Sequence, residues 1–86
     1  MKNRAQKHQE ICNRLTTLYV QKNNDYGNSF AKLREEFPNA VLIRVYDKYS
    51  RLKTLLEGNK QLVDESIEDT LLDLANYCIM ELIERR

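Results

Sequence analysis

Apolar residues recur along this chain at helical spacing. In the first stretch Ile11, Leu15, Leu18, Tyr19 and Lys22 fall at i, i+4, i+7, i+8 and i+11, an apolar stripe that ends at a lysine. Asn23-Asn24-Asp25-Tyr26-Gly27-Asn28 then gathers turn formers around a glycine able to take positive φ, which predicts a loop. Ser29 is placed to cap a short second helix with Phe30, Leu33 and Phe37 on its apolar side, ended by Pro38. A third helix is expected from Ala40 to Glu57, with Gly58 as C-cap and Leu42, Val45, Tyr46, Tyr49, Leu52 and Leu56 as its core stripe. The fourth starts near Asp64, a good N-cap, with Glu68 one turn on at the positive end of the helix dipole.

The fourth helix differs from the others. Ile67, Leu71, Leu74 and Cys78 form the expected stripe, yet Leu72, Ile79, Met80 and Ile83 lie on its other side. A helix apolar on every face is buried centrally or by a partner chain. On that second face Glu65, Asp69, Asp73 and Asn76 project within ~80° of one another. Carboxylates on a covered surface are costly unless cations, a metal or a ligand meet them.

Composition narrows the class. Two Gly and one Pro are too few for an all-β chain with its frequent turns, so the fold class is all-α, a single domain over residues 1–86 built as a small bundle of about four helices. A chain of this length buries little more than ~60% of its unfolded surface, and homo-oligomerisation is the expected completion. Fourteen Lys and Arg balance thirteen Asp and Glu, which argues against generic nucleic-acid binding, because phosphate-backbone affinity needs a surplus of cations. No run is long and apolar enough to span a membrane, and the basic start lacks the apolar region of a signal peptide. Cys12 and Cys78 lack metal-ligand spacing and read as reduced core thiols of a cytoplasmic protein. His8, alone of its kind, reads as a surface residue.

Two constellations carry candidate chemistry. Arg44, Lys48 and Arg51 fall within ~60° of one another on the flank of the third helix's stripe, with Asp47 just beyond. Set against the fourth helix, these cations would neutralise phosphates while Glu65, Asp69 and Asp73 held Mg²⁺, which prefers carboxylate oxygens. The same residues also serve as plain ion pairs between or along helices, as Asp47 and Arg51 would. The segment from Lys22 through Asn24, Asp25, Tyr26 and Ser29 could grip a base and sugar by hydrogen bonding and stacking, or simply turn the chain. Tyr46, Tyr49 and Tyr77 sit at helical spacing and read as core residues with hydroxyls at the rim. No catalytic nucleophile motif is present.

Three ordered segments, Lys22 to Phe30, Ile43 to Leu52 and Glu65 to Tyr77, together resemble the nucleotide modification associated domain 1 family of phages, prophages and bacteria, over roughly residues 10–82. The resemblance implies a small all-α domain handling a nucleotide. Carried over by position, its polar signature falls on Lys22, Asp25, Tyr26, Ser29, Arg44, Asp47, Lys48, Arg51, Glu65, Asp69, Asp73 and Asn76. A looser similarity links the chain to the all-α, MazG-like nucleoside triphosphate pyrophosphatases, which set an ExxE pair and an ExxD pair on successive helices around Mg²⁺. Here the third helix has no ExxE, and Asp69 and Asp73 stand at i+4.

The leading expectation is a homo-oligomeric nucleotide-binding protein of phage or prophage type. It would hold a nucleotide or nucleotide-derived signal between the third and fourth helices and the Asn-rich loop, without turnover and with no catalytic residue. Sequestration of a host defence signal in the host cytoplasm is its natural extension. The alternatives are a Mg²⁺-dependent nucleotide pyrophosphohydrolase and a helical protein-interaction adaptor.

Overall fold

The computed structural model describes residues 1–58 and 64–86; the side chains of Asp25, Asp64 and Glu65 also lie outside the described set. Four helices run α1 (Arg4–Gln21), α2 (Ser29–Glu36), α3 (Ala40–Glu57) and α4 (Asp64–Glu84), with no strand among the described residues. The class is all-α, and no described helix is long and apolar enough to cross a membrane.

Local chemistry explains most boundaries. Asn3 and Gln6 form a reciprocal capping box at 2.8 Å in each direction, which satisfies two otherwise orphaned donors at the start of α1. Phe37 ends α2 with its N–H on the Leu33 carbonyl, just before Pro38. Gly58 closes α3 in an extended conformation, its N–H 3.3 Å from the Leu55 carbonyl.

The Asn-rich segment is not an open loop. Residues Asn24–Asn28 form one π-helical turn, with the Asn28 N–H donating 3.0 Å to the Asn23 carbonyl, and this turn leads directly into α2. Ser29 is therefore inside the helix instead of capping it, and its hydroxyl donates 3.0 Å back to the Asn24 carbonyl. Nor does Gly27 adopt a positive φ. Its role is steric: a Cβ there would stand 2.5 Å from Asn23 Oδ1 and 2.6 Å from the Tyr19 hydroxyl.

α4 is the central element, packed against α3 on one side and α1 on the other. Tyr26, Phe30, Ala40 and Met80 form the core, flanked by Tyr19, Leu33, Val41 and Tyr77. A bidentate pair joins α2 to α4: Arg34 donates through Nε and Nη2 at 2.9 and 3.1 Å to Glu81, which also accepts from Arg85 at 2.7 Å. Glu81 is buried, and Arg34 holds its carboxyl below the ordinary range against the opposing effect of burial.

The stripes expected to form the core are largely turned outward. On α3, Leu42, Tyr46, Tyr49 and Leu56 are 67, 67, 55 and 65% exposed, and Val45 and Leu52 are half-buried. Ile11, Phe37, Leu71 and Cys78 are also exposed, so the thiols are free but not in the core. The reason lies in which sides of α3 and α4 meet. α3 presents Ala40, Arg44 and Lys48 to α4, whose covered side carries Thr70, Asp73, Tyr77 and Met80. Small Ala40, fully buried, permits close approach.

Candidate functional site

Packing α3 on α4 through polar sides assembles a charged seam. α3 contributes cations one turn apart, because positions 44, 48 and 51 share a face. α4 contributes Asp69, Asp73 and Tyr77 at successive i+4 steps. Lys48 Nζ lies 3.4 Å from Asp73 Oδ2, and Arg44 pairs with Asp47 on its own helix at 3.7 Å. Arg51 Nε donates 3.3 Å to the Thr70 hydroxyl, which itself donates 2.7 Å to the Ser66 carbonyl.

Tyr77 is the hub that sequence reading assigned to the core alone. Arg44 and Lys48 each lie 6.0 Å from its ring centroid, within cation–π range. Tyr26 and Phe30 meet the same ring edge-on at 5.5 and 5.9 Å. The only available signal was its place one turn beyond Asp73 on the acidic face. Burial raises the Tyr77 hydroxyl above its ordinary pKa, Arg44 works against that, and Asp73 and Asp47 add to it. All three charges thus act on this one hydroxyl.

The C-terminal end of α1 closes the site. Lys22 stands 5.5 Å over the Tyr26 ring and, with Leu18, Asp69, Leu72 and Asp73, lines a hollow of about 230 Å³. Burial pushes the Asp73 carboxyl above the ordinary carboxylate range, and the positive charge of Lys22 opposes the shift. The Tyr26 hydroxyl is buried with no hydrogen-bond partner, a cost of about 1–3 kcal/mol for such a group.

The structure therefore gathers Lys22, Tyr26, Arg44, Asp47, Lys48 and Asp73 around Tyr77, with Asp69 beside Lys22 and Asp73 in the hollow against α1 and Arg51 further along the seam on Thr70. Asn24 and Ser29 hold the π-turn, Asn24 Oδ1 accepting from Asn28 Nδ2 at 3.2 Å. Asn76 lies on the α1–α4 side, 2% exposed, its amide donating 3.2 Å to the Leu15 carbonyl. Asp25 and Glu65 fall among the side chains that are not described. Among the described residues no three His, Cys, Asp or Glu side chains converge, so Asp69 and Asp73 do not by themselves form a Mg²⁺ cage.

Chemically, the arrangement offers cations for an anionic group beside carboxylates that accept from hydroxyls or amines, all around a half-buried aromatic ring. Comparison with curated proteins and with solved structures gave no match. The family model described as nucleotide modification associated domain 1 matches residues 22–84, from the lysine that closes the site to the end of α4. The chain belongs to the nucleotide modification associated domain 1 family.

Proposed function

We propose that this chain is a nucleotide-binding homo-oligomer of phage or prophage type that holds a nucleotide or nucleotide-derived signal at the charged end of the α3–α4 seam without turning it over. One observation carries the reading: beyond the apolar contact of Ala40 and Met80, α3 and α4 bring Arg44, Lys48, Asp73 and Tyr77 together in a half-buried cluster. A purely structural interface gains more from apolar contact than from half-buried charges. The family's association with nucleotides supplies the ligand class.

In this reading Lys22, Arg44 and Lys48 receive the phosphates, Arg51 extends that cationic row, and Asp47 and Asp69 accept from the sugar or base. Asp73 holds Lys48 in place until a phosphate takes over the ammonium. Tyr26 offers its unpaired hydroxyl. Asn24 and Ser29 set the π-turn that follows Lys22, Asp25 adds a carboxylate for the ligand, and Asn76 fixes α4 against α1. Sequestration of a defence signal in the host cytoplasm is the biological role that such a binder without turnover suits.

Native mass spectrometry of the full chain with a mixed nucleotide panel, with and without Mg²⁺, tests this. Recovery of an intact nucleotide on the protein supports the reading. Mg²⁺-dependent release of a cleaved product overturns it in favour of a pyrophosphohydrolase, with Asp69, Asp73 and Glu65 as the acids facing the metal. Retention of no nucleotide under either condition overturns both and leaves the adaptor.

A further inference from the structure

The hollow between α1 and α4 differs in chemistry from the seam beside it. Its apolar lining is aliphatic, with Leu72 buried and Leu18 half-buried, and its charged residues are Lys22, Asp69 and Asp73. Lys22 and Asp69 are exposed, whereas Asp73 is half-buried. Asp73 is also a boundary: it lines the hollow and, through Oδ2, meets Lys48 of α3 at 3.4 Å.

Two carboxylates against one ammonium make this lining an acceptor of hydrogen bonds, because an ionised carboxylate has no proton to donate. Like charge keeps a phosphate out of the interior and leaves it to the cations around the rim. At about 230 Å³ the hollow is smaller than the roughly 300–1,000 Å³ that whole drug-sized ligands occupy, so it takes one part of a nucleotide. That part is not the base. Among the described residues no aromatic ring lines the hollow, and a base would find nothing there to stack on. A pentose fits on both counts, since its hydroxyls donate to carboxylates and its C–H faces suit leucine.

Spacing gives the sugar a direction. Asp69 and Asp73 stand four residues apart on α4, about 6 Å along the helix axis. A ribose reaches about as far from its vicinal hydroxyls to its 5′ phosphate. With the hydroxyls at Asp69, the 5′ end leaves the hollow past Asp73, on the side where Lys48 stands. We propose that the site selects ribonucleotides over 2′-deoxyribonucleotides, with the ribose in the α1–α4 hollow, its vicinal hydroxyls on the Asp69 carboxylate and its 5′ phosphate at Lys48 and Arg44. Asp73 then divides a sugar compartment from a phosphate compartment.

This deepens the nucleotide-binding reading above and rests on it. Competition native mass spectrometry of the full chain reads the selectivity, with nucleoside mono-, di- and triphosphates and ADP-ribose each supplied in the ribo and the 2′-deoxy form. The ribo form should bind about 10- to 100-fold more tightly, as when one hydrogen bond to a charged acceptor is kept. The 2′-fluoro form of the retained nucleotide accepts but does not donate, and should bind as weakly as the 2′-deoxy form. Asp69→Ala, at an exposed helical position that alanine suits, should remove the difference between ribo and 2′-deoxy forms. Equal retention of the two forms, or a 2′-fluoro form as tight as the ribo form, overturns the proposal and leaves the nucleotide reading standing. Selectivity that survives Asp69→Ala also overturns it, because the sugar then lies elsewhere. Retention of no nucleotide in either form overturns the reading and the proposal with it.

Discussion

Lys48 reaches from α3 to place its ammonium 3.4 Å from the Asp73 carboxylate of α4, while Tyr49, the next residue, faces out and is 55% exposed. One peptide step separates the two faces on which this protein is built. Asp73 is half-buried, and burial outweighs the help it receives from Lys22.

That balance has a definite pH signature. Asp73 has a folded pKa above its unfolded value, so the unfolded chain ionises first as pH rises, and stability falls through that window. Below the ordinary carboxylate pKa of about 4 both states are protonated and the penalty vanishes. Asp73→Asn removes it and leaves Lys48 able to reach water. The variant should melt at or above the parent at pH 7 and lose that advantage by about pH 4. Melts across this range check it; a variant weaker at pH 7 than at pH 4, relative to the parent, would show that the ion pair dominates.

The Arg34–Glu81 clamp has the opposite sign. Glu81 is held below its ordinary pKa, so its contribution is complete above the unfolded value and is lost as pH falls through the lower folded value. Glu81→Gln should lower Tm at pH 7, and the deficit should shrink as the solution is acidified well below pH ~4. Parallel melts of the parent and variant read the difference directly.

Gly27 and Tyr19 provide a test of packing. A Cβ at position 27 meets the Tyr19 hydroxyl and Asn23 Oδ1, both at the ends of side chains that can give way. Gly27→Ala should therefore cost about 1 kcal/mol, the lower end for overpacking. In a Tyr19→Phe background the cost should fall, since one of the two crowded atoms is gone. Denaturant unfolding of the four proteins gives the coupling; an unchanged cost would place the strain on Asn23.

Helix positions were legible in the sequence because periodicity and punctuation act locally: Gly58 and Pro38 mark the chain where the structure ends α3 and α2. Which face of each helix turns inward was not legible. Hydrophobicity assigned Leu42, Tyr46 and Tyr49 to the core, but facing is set by the neighbouring element, and α4 offers Asp73 and Tyr77. The π-turn was hidden for a related reason. Asn and Gly signal a turn, yet the i→i+5 bond from Asn28 to Asn23 depends on a spacing that propensity does not encode. The charges of the candidate site were readable because residues one turn apart share a face whatever packs there. Tyr77 was missed because an aromatic at helical spacing also fits a core.

Tyr77 is therefore the residue to test against the ligand. Its ring supports Arg44 and Lys48 and packs on Tyr26 and Phe30, whereas its hydroxyl lies under the influence of Arg44, Asp73 and Asp47. Tyr77→Phe keeps the ring and removes only the hydroxyl. The melting temperature should stay close to that of the parent, while nucleotide affinity should weaken by ~10-fold, as when one hydrogen bond in a charged setting is lost. Tyr77→Leu removes the platform as well, and should lower both Tm and affinity. Titration calorimetry with the nucleotide found by native mass spectrometry separates the two effects. Equal affinity for Tyr77→Phe and the parent would confine Tyr77 to packing, with Lys22, Arg44 and Lys48 alone holding the ligand.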